Sequence, residues 1–192
     1  MIVPKLILSR LTLREIKSKD VFAYTELFSD KETMELFGGR PVLNDLEIKD
    51  VIETTRQESE KGCAIFWVIT LTEEKEFIGF IRLMSYKTSY YDSSFSAMGE
   101  MRNSSEILQY IDRNGWEIEY ALLKNFRGKG IMKEALEAIL GYCTENGIGP
   151  LFAKVGSLSN TATVHLLEKS GFTELLPQVN HKGGLGMIYK WT

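Results

Sequence analysis

Two kinds of apolar pattern alternate along the chain and predict a mixed α/β fold. Short runs rich in β-branched and aromatic residues, 64–71 (AIFWVITL) and 77–84 (FIGFIRLM), are typical of strands. The charged segment 72–76 between them predicts an antiparallel hairpin. In 129–146, by contrast, apolar residues recur at spacings of four, seven, eight and eleven from Met132, which indicates one face of an amphipathic helix.

The other elements follow from the same patterns and from capping residues. A strand is predicted over 6–14, and a helix begins at Asp20 and ends at Ser29-Asp30. A second helix begins at Asn44, with Glu47 three residues later as in a capping box, and ends at Lys61-Gly62. The remaining predicted elements are strands at 116–123, 151–155, 172–176 and 187–191 and a helix that begins at Asn160 and ends before Gly171.

The order strand, glycine turn, helix, strand from residue 116 onward implies a parallel strand pair with a crossover helix. Neither a repeat nor a linker interrupts the chain, so one domain over 1–192 is expected. The polar segment 85–115 is too long for a simple connection. Long loops of this kind are often functional, so we interpret it as an insertion that is either a substrate-side flap or a mobile connection.

Composition narrows the class of protein. The chain has 192 residues, 44% hydrophobic and 26% charged, which is typical of a soluble globular protein rather than a disordered one. A net charge of −3 and a pI near 5.6 argue against a nucleic-acid partner. No apolar run approaches the length that spans a bilayer, and the N-terminus does not look like a signal peptide, so no membrane partner and a cytoplasmic location are expected.

The cysteines and histidines indicate neither a metal site nor a disulfide framework. Cys63 and Cys143 lie far apart in sequence, and the chain contains no CxxC motif. His165 and His181 have no recognisable triad partners, so we leave both outside the mechanism. We therefore expect chemistry that needs no metal.

The most informative stretch is the glycine turn Arg127-Gly128-Lys129-Gly130 that precedes the amphipathic helix. Its glycines permit a tight backbone, the helix N-terminus presents unpaired amides, and the two cations add positive charge, all of which favour a phosphate. A tight connection with two solvated cations is the alternative. The nucleotide motifs GxxxxGK[ST] and GxGxxG are both absent here.

Four further motifs stand around this turn in the order found in one family. The chain resembles the GCN5-related N-acetyltransferases (GNAT), and within them the RimJ/RimL branch, which acetylates protein N-terminal amines. The matching residues are R-L-x-L-R at 10–14, I-G-F-I at 78–81, R-G-K-G-I at 127–131, E-A-L at 134–136, and Asn160, Thr163 and L-E-K-x-G-F at 167–172.

The resemblance implies a GNAT fold: a central mixed, mostly antiparallel twisted sheet of about six to seven strands, flanked by helices, with a splayed parallel pair at the cofactor cleft. It implies acetyl-CoA as acetyl donor, an amine acceptor, and a monomer or homodimer. The residues that the resemblance assigns to the cofactor are Ala121, Leu122, Leu123, Arg127, Gly128, Lys129, Gly130, Ile131, Met132 and Asn160.

Two positions depart from the family pattern. Met132 occupies the last place of the phosphate loop, where a methionine either crowds the phosphates or points into the core. Leu167 stands where many members of the superfamily carry a tyrosine that protonates the thiolate. The RimJ/RimL branch has a hydroxyl three residues after the asparagine instead, so Thr163 is the candidate partner of the sulfur, unless its hydroxyl only bonds the backbone.

The reaction also needs a base that takes a proton from the attacking amine. Glu117 and Glu119 alternate with apolar residues on a predicted strand, so both face one side, where close like charges raise a carboxyl pKa. Glu117 holds the place where the branch often has a carboxylate and is the first candidate, with Glu119 second. An acidic docking surface with water as base is the alternative.

The sequence therefore predicts an acetyl-CoA-dependent N-acetyltransferase that transfers the acetyl group by direct attack in a ternary complex. A protein or peptide N-terminal α-amine is the first acceptor class, by resemblance to the branch. A small amine, such as a polyamine, an amino sugar or an aminoglycoside, is the alternative acceptor. A non-catalytic acyl-CoA-binding protein with the same fold is the alternative from another class.

Overall fold

One eight-stranded sheet organises the part of the chain that the computed structural model describes, residues 3–37, 44–87, 111–180 and 182–192. The strands lie in the order β1-β2-β3-β4-β5-β6-β8-β7, and every neighbouring pair is antiparallel except β5–β6. The strands are β1 (Leu6–Ile7), β2 (Leu11–Arg14), β3 (Ala64–Leu71), β4 (Phe77–Ser85), β5 (Trp116–Leu122), β6 (Leu151–Val155), β7 (Thr173–Val179) and β8 (Leu185–Trp191).

Helices flank the sheet, so the predicted mixed α/β class is confirmed. The helices in the described ranges are α1 (Val21–Ser29), α2 (Lys31–Leu36), α3 (Asp45–Lys61), α4 (Ile131–Asn146) and α5 (Thr161–Lys169). Single turns of 3-10 helix precede α1 and follow β5. No helix in these ranges is long and apolar enough to cross a membrane.

The first strand prediction was wrong, because the run 6–14 contains a turn. The amide of Leu8 donates to the carbonyl of Leu11 at 2.8 Å, and Leu6 pairs with Leu13 across a tight hairpin. Two short strands, β1 and β2, replace the single long one. This split is one reason why the sheet has eight strands rather than the expected six to seven.

Capping residues place the helix ends close to the predicted positions. The amide of Asn44 donates to Glu47 Oε2 at 2.8 Å, and Asn44 Oδ1 accepts from the amide of Glu47 at 3.1 Å, which is the expected capping box. Helix α4 begins at Ile131, two residues later than predicted, because Gly130 takes a left-handed conformation at its N-cap. Gly147 ends the same helix with a φ of +62°.

Helix α2 was missed by the sequence analysis. Asp30 ends α1 and at once caps the next helix, since its Oδ2 accepts from the amide of Thr33 at 2.8 Å and from the Thr33 hydroxyl at 2.6 Å. Residues 29–30 therefore join two helices directly and do not begin a loop.

Each face of the sheet carries its own apolar core. On one face α4 buries the predicted stripe of Met132, Leu136, Ile139, Leu140 and Cys143 against β2 to β6. Burial raises the pKa of the Cys143 thiol to about 12, which keeps it protonated. On the other face aromatic side chains from α1 pack against those of β3 and β4, the group being Tyr24, Phe28, Phe66, Phe77 and Phe80.

Strands β5 and β6 form the predicted parallel pair, and they stay paired over three residues. The register joins Trp116 to Leu151, Glu117 to Phe152 and Ile118 to Ala153, and beyond Ile118 the two strands diverge. The rest of β5 is therefore not paired with β6, and we call the space between the two strands the opening. Most of the predicted insertion 85–115 lies outside the described residues.

A buried ion pair ties β2 to the start of α1. Arg14 donates from Nη1 to Asp20 Oδ2 and from Nη2 to Asp20 Oδ1, both at 2.8 Å, and the amide of Lys17 donates to the same carboxylate at 2.7 Å. Asp20 is almost fully buried. The second arginine of the R-L-x-L-R motif thus neutralises a buried carboxylate.

We expect Arg14→Met to lower the free energy of unfolding by about 3–5 kcal/mol, because it leaves the Asp20 carboxylate buried without its cation. Urea denaturation measures this change. Arg56→Met is the matched control, since Arg56 makes an exposed pair with Glu53 at 3.5 Å and its loss is expected to change stability by less than about 0.5 kcal/mol. Equal losses in the two variants would contradict this assignment.

Candidate active site

The opening between β5 and β6 is flanked by the N-termini of two helices. The glycine turn leads from β5 into α4, and α5 begins six residues after β6 ends. Gly128 and Gly130 have φ angles of +72° and +73°, and no side chain caps the first turn of α4. Its amides are therefore available to a ligand, and the helix dipole favours an anion there.

The side chain of Arg127 is part of the scaffold of this turn. Its Nε donates to the carbonyl of Leu122 at 3.0 Å, its Nη2 donates to Thr33 Oγ1 at 2.6 Å, and its Nη1 lies 3.3 Å from Glu32 Oε1. Arg127 thus links the turn to the end of β5 and to α2. Lys129, the second cation of the turn, is exposed and lies over the ring of Phe126.

Two of the sequence motifs meet at the start of α4. Arg10 donates from Nε to Glu134 Oε2 at 2.8 Å and from its amide to Oε1 at 3.2 Å, and the Ser9 hydroxyl donates to Oε1 at 3.1 Å. Burial acts to raise the pKa of Glu134, but these hydrogen bonds outweigh it and lower the pKa. Arg10 also donates to the carbonyl of Lys129 at 3.4 Å, so the hairpin β1–β2 supports the glycine turn.

The structure decides between the two alternatives for Met132. Its side chain is buried in the core beneath α4, beside those of Ile131 and Leu136, so it does not crowd the turn. Leu167 is also fully buried in this core and therefore offers no group to the cleft. At both positions that depart from the family pattern, the apolar side chain is therefore part of the core.

The end of β5 forms the edge of the cleft. Ala121 and Leu122 are buried on opposite faces of the sheet, and Leu123 is half-buried. Gly79 on β4 faces them so closely that a Cβ atom there would lie 2.3 Å from the carbonyl oxygen of Ala121. The glycine of the I-G-F-I motif is thus required for the close approach of β4 and β5 at this point.

Glu117 and Glu119 lie on the same face of β5 and are both buried, as their alternation predicted. Each has a cationic partner on a neighbouring strand. Lys154 Nζ on β6 lies 2.9 Å from Glu117 Oε2, which also accepts from the Tyr86 hydroxyl at 3.0 Å. Arg82 on β4 forms an ion pair with Glu119. The two carboxylates therefore do not act on one another as an isolated pair of like charges.

The first turn of α5 brings Asn160 and Thr163 to the opening. Asn160 Oδ1 accepts from the amide of Thr163 at 3.2 Å and so caps the helix. The Thr163 side chain lies close enough to the hydroxyl of Tyr120 on β5 to affect its pKa by hydrogen bonding, although burial outweighs it and raises that pKa. Tyr120 was not singled out by the sequence analysis, because a tyrosine in an apolar strand looks like part of the core. His165 is exposed, and His181 lies outside the described residues.

Comparison with known proteins identifies the family. Residues 10–173 match the family model "Acetyltransferase (GNAT) domain". The uncharacterized N-acetyltransferase p20 of Bacillus licheniformis is 25% identical over 85% of this chain and 79% of its own length.

Solved structures share the fold over nearly the whole chain. An acetyltransferase of the GNAT family from Bacillus anthracis superposes with a TM-score of 0.73 at 17% identity and 98% coverage of both chains. RimL, a ribosomal L7/L12 alpha-N-protein acetyltransferase in complex with coenzyme A, superposes with a TM-score of 0.70 at 18% identity, covering 100% of this chain and 97% of RimL. Together with the family match, which spans most of the chain, these similarities show that the protein belongs to the GNAT family and is an acetyltransferase.

Proposed function

We propose that the protein transfers the acetyl group of acetyl-CoA to an N-terminal α-amine of a protein or peptide. The observation that carries this proposal is the opening between β5 and β6, which lies next to an uncapped helix N-terminus, with Glu119 just beyond the last paired residue of β5 and Glu117 just before it. RimL, a ribosomal L7/L12 alpha-N-protein acetyltransferase, shares this fold and supports the choice of acceptor. Acetyl-CoA and new protein N-termini are both cytoplasmic, so the cytoplasm is the implied compartment.

The donor side of the site is the glycine turn. We assign the amides of Gly128 to Met132 to the pyrophosphate of acetyl-CoA, and the exposed Lys129 side chain adds positive charge there. Asn160 uses its Oδ1 for the cap, which leaves its amide NH2 for the pantetheine arm. The backbone of Ala121, Leu122 and Leu123 borders the acetyl group where β5 departs from β6.

The acceptor side carries the base. Attack on the thioester requires a neutral amine, and we assign Glu117 to accept its proton directly or through a water molecule. Glu119 is the second candidate. A cysteine nucleophile is not used in this scheme, since the Cys143 thiol is buried in the core beneath α4 and Cys63 directly precedes β3, at the end of the sheet where β5 begins rather than where it leaves β6. The amine therefore attacks acetyl-CoA directly in a ternary complex.

We expect Gly128→Ala to weaken acetyl-CoA binding about tenfold or more, because a Cβ atom enters the open space in front of the amides or forces the turn out of its left-handed conformation. Calorimetric titration with acetyl-CoA measures the affinity. Gly147→Ala is the matched control, since Gly147 has a similar positive φ and similarly open surroundings at the other end of α4.

Both glycine variants are expected to lose about 1–2 kcal/mol of stability from the strained backbone, so a difference in affinity between them reports on the ligand site alone. If wild-type protein does not bind acetyl-CoA, or if both variants bind as wild type does, the glycine turn is not the cofactor site.

The acceptor is tested with two forms of one peptide, one with a free N-terminus and a methylated lysine, the other with a blocked N-terminus and a free lysine. We expect acetylation of the first form only, because an α-amine has a pKa near 8 and is far more often neutral at pH 7.5 than a lysine near 10.4. Thiol release and the mass of the peptide measure turnover. Preference for the lysine form, or for a polyamine offered in parallel, would contradict the proposed acceptor.

We expect Glu117→Gln to lower kcat/KM strongly at neutral pH and to recover part of it as pH rises, because solvent then removes the proton of the amine. Lys154→Met is the companion variant: it removes the cation that lies 2.9 Å from the Glu117 carboxylate, so we expect it also to lower kcat/KM. An unchanged profile in Glu117→Gln with the loss appearing in Glu119→Gln would assign the base to Glu119.

A further inference from the structure

Tyr120 carries a buried hydroxyl that the fold itself does not use. Within the described residues this hydroxyl has no hydrogen-bond partner and is closed off from solvent. Leaving such a group unsatisfied is unfavourable, because it has lost its hydrogen bonds to water without replacing them. Because buried polar groups are almost always hydrogen-bonded, a group of this kind calls for a functional explanation.

The position of Tyr120 places this hydroxyl at the cleft. Tyr120 lies two residues beyond Ile118, the last residue of β5 that pairs with β6, so it belongs to the part of the strand that borders the opening. It alternates with Glu119 and Ala121, and its ring therefore packs on the face of the sheet that α4 covers. The two carboxylates of the acceptor side lie on the opposite face.

The group that Tyr120 faces is the hydroxyl of Thr163. The Thr163 side chain is the hydrogen-bonding group that acts on the Tyr120 hydroxyl, although in the free protein the two do not reach the geometry of a regular hydrogen bond. Burial raises the pKa of Tyr120 well above its ordinary value, and the Thr163 hydroxyl acts in the opposite direction, so the phenol keeps its proton at every physiological pH. Tyr120 is thus a permanent hydrogen-bond donor.

We propose that Tyr120 is a positioning residue for the leaving thiolate: its hydroxyl donates to Thr163 Oγ1, and this directs the Thr163 proton toward the sulfur of coenzyme A. The inference rests on the proposed function, which places the thioester in this opening. Leu167 occupies the position at which many members of the superfamily carry the tyrosine that protonates the thiolate. The inference explains how the sulfur is stabilised without that tyrosine, because the hydroxyls of Tyr120 and Thr163 do so instead.

The step is balanced without any change in the protonation of Tyr120 or Thr163. The amine nitrogen forms the new C–N bond and passes its proton to the base. The C–S bond then breaks, its electron pair goes to the sulfur, and the Thr163 O–H donates a hydrogen bond to the thiolate that results. The thiolate takes up the proton released by the base through solvent, which regenerates coenzyme A as the free thiol and the enzyme in its starting state.

The test is the pKa of the coenzyme A thiol in its complex with the protein, followed by the ultraviolet absorbance of the thiolate and measured as the difference between loaded and free protein. In wild type we expect a value below that of a free thiol, about 8.5. Tyr120→Phe is expected to raise it by about one unit, a tenfold change in the thiolate ratio. With acetyl-CoA, kcat should fall about tenfold at an unchanged KM for the donor.

Three further variants separate this role from a structural one. Thr163→Ala should raise the thiol pKa as Tyr120→Phe does, and Thr163→Ser, which keeps the hydroxyl, should restore the wild-type value. Tyr142→Phe is the matched control. Tyr142 lies on α4 and packs edge-to-face against Trp67 of β3, so the loss of its hydroxyl should leave the thiol pKa unchanged. Tyr120→Phe should not lower stability, since the hydroxyl that it removes makes no hydrogen bond in the free protein.

The possible failures are distinguishable. If coenzyme A binds and its thiol pKa is the same in wild type and Tyr120→Phe, this inference is overturned and the proposed function stands. If Tyr120→Phe shifts the pKa equally in the Thr163→Ala background, Tyr120 contacts the sulfur directly and the relay through Thr163 is wrong. If wild-type protein binds no coenzyme A, the proposed function and this inference fail together.

Discussion

The divergence of β5 from β6 is the constraint on which the rest of the structure depends. A parallel pair that ends after three residues exposes strand edges that must find other partners, because buried backbone groups are rarely left unsatisfied. Arg127 provides one of these partners by donating to the carbonyl of Leu122. Gly79 allows β4 to close against the other side of the same strand, and the gap that remains is framed by the first turns of α4 and α5.

The arginines of the family motifs mostly stabilise the elements around the opening between β5 and β6. Arg10 reaches from the first hairpin to Glu134 and to the carbonyl of Lys129, so it supports the glycine turn without occupying the anion site. Arg127, which the sequence analysis assigned to the cofactor, connects the turn to α2. This division leaves the backbone amides of the turn and the exposed Lys129 side chain as the proposed contacts of the ligand, and a backbone site of this kind tolerates the exchange of side chains such as Met132.

Local signals were sufficient for most elements and for some of the site. The Asn44–Glu47 capping box, the apolar stripe of α4 and the terminal Gly147 each act within a few residues, and the helices begin and end close to the predicted positions. The prediction failed where two signals overlap in a short stretch. Asp30 serves two helices at once, and the turn inside 6–14 is hidden by apolar residues on both sides.

The sequence by itself determined the class of fold and, through its motifs, the family, because periodicity, caps and glycine turns are encoded over short distances. Only the tertiary structure decided which partners the candidate site residues have. Lys154 and Arg82 come from other strands to neutralise Glu117 and Glu119, and Tyr120 meets Thr163 from a helix more than forty residues away. Such contacts depend on how strands and helices pack in space, and no local pattern records that packing.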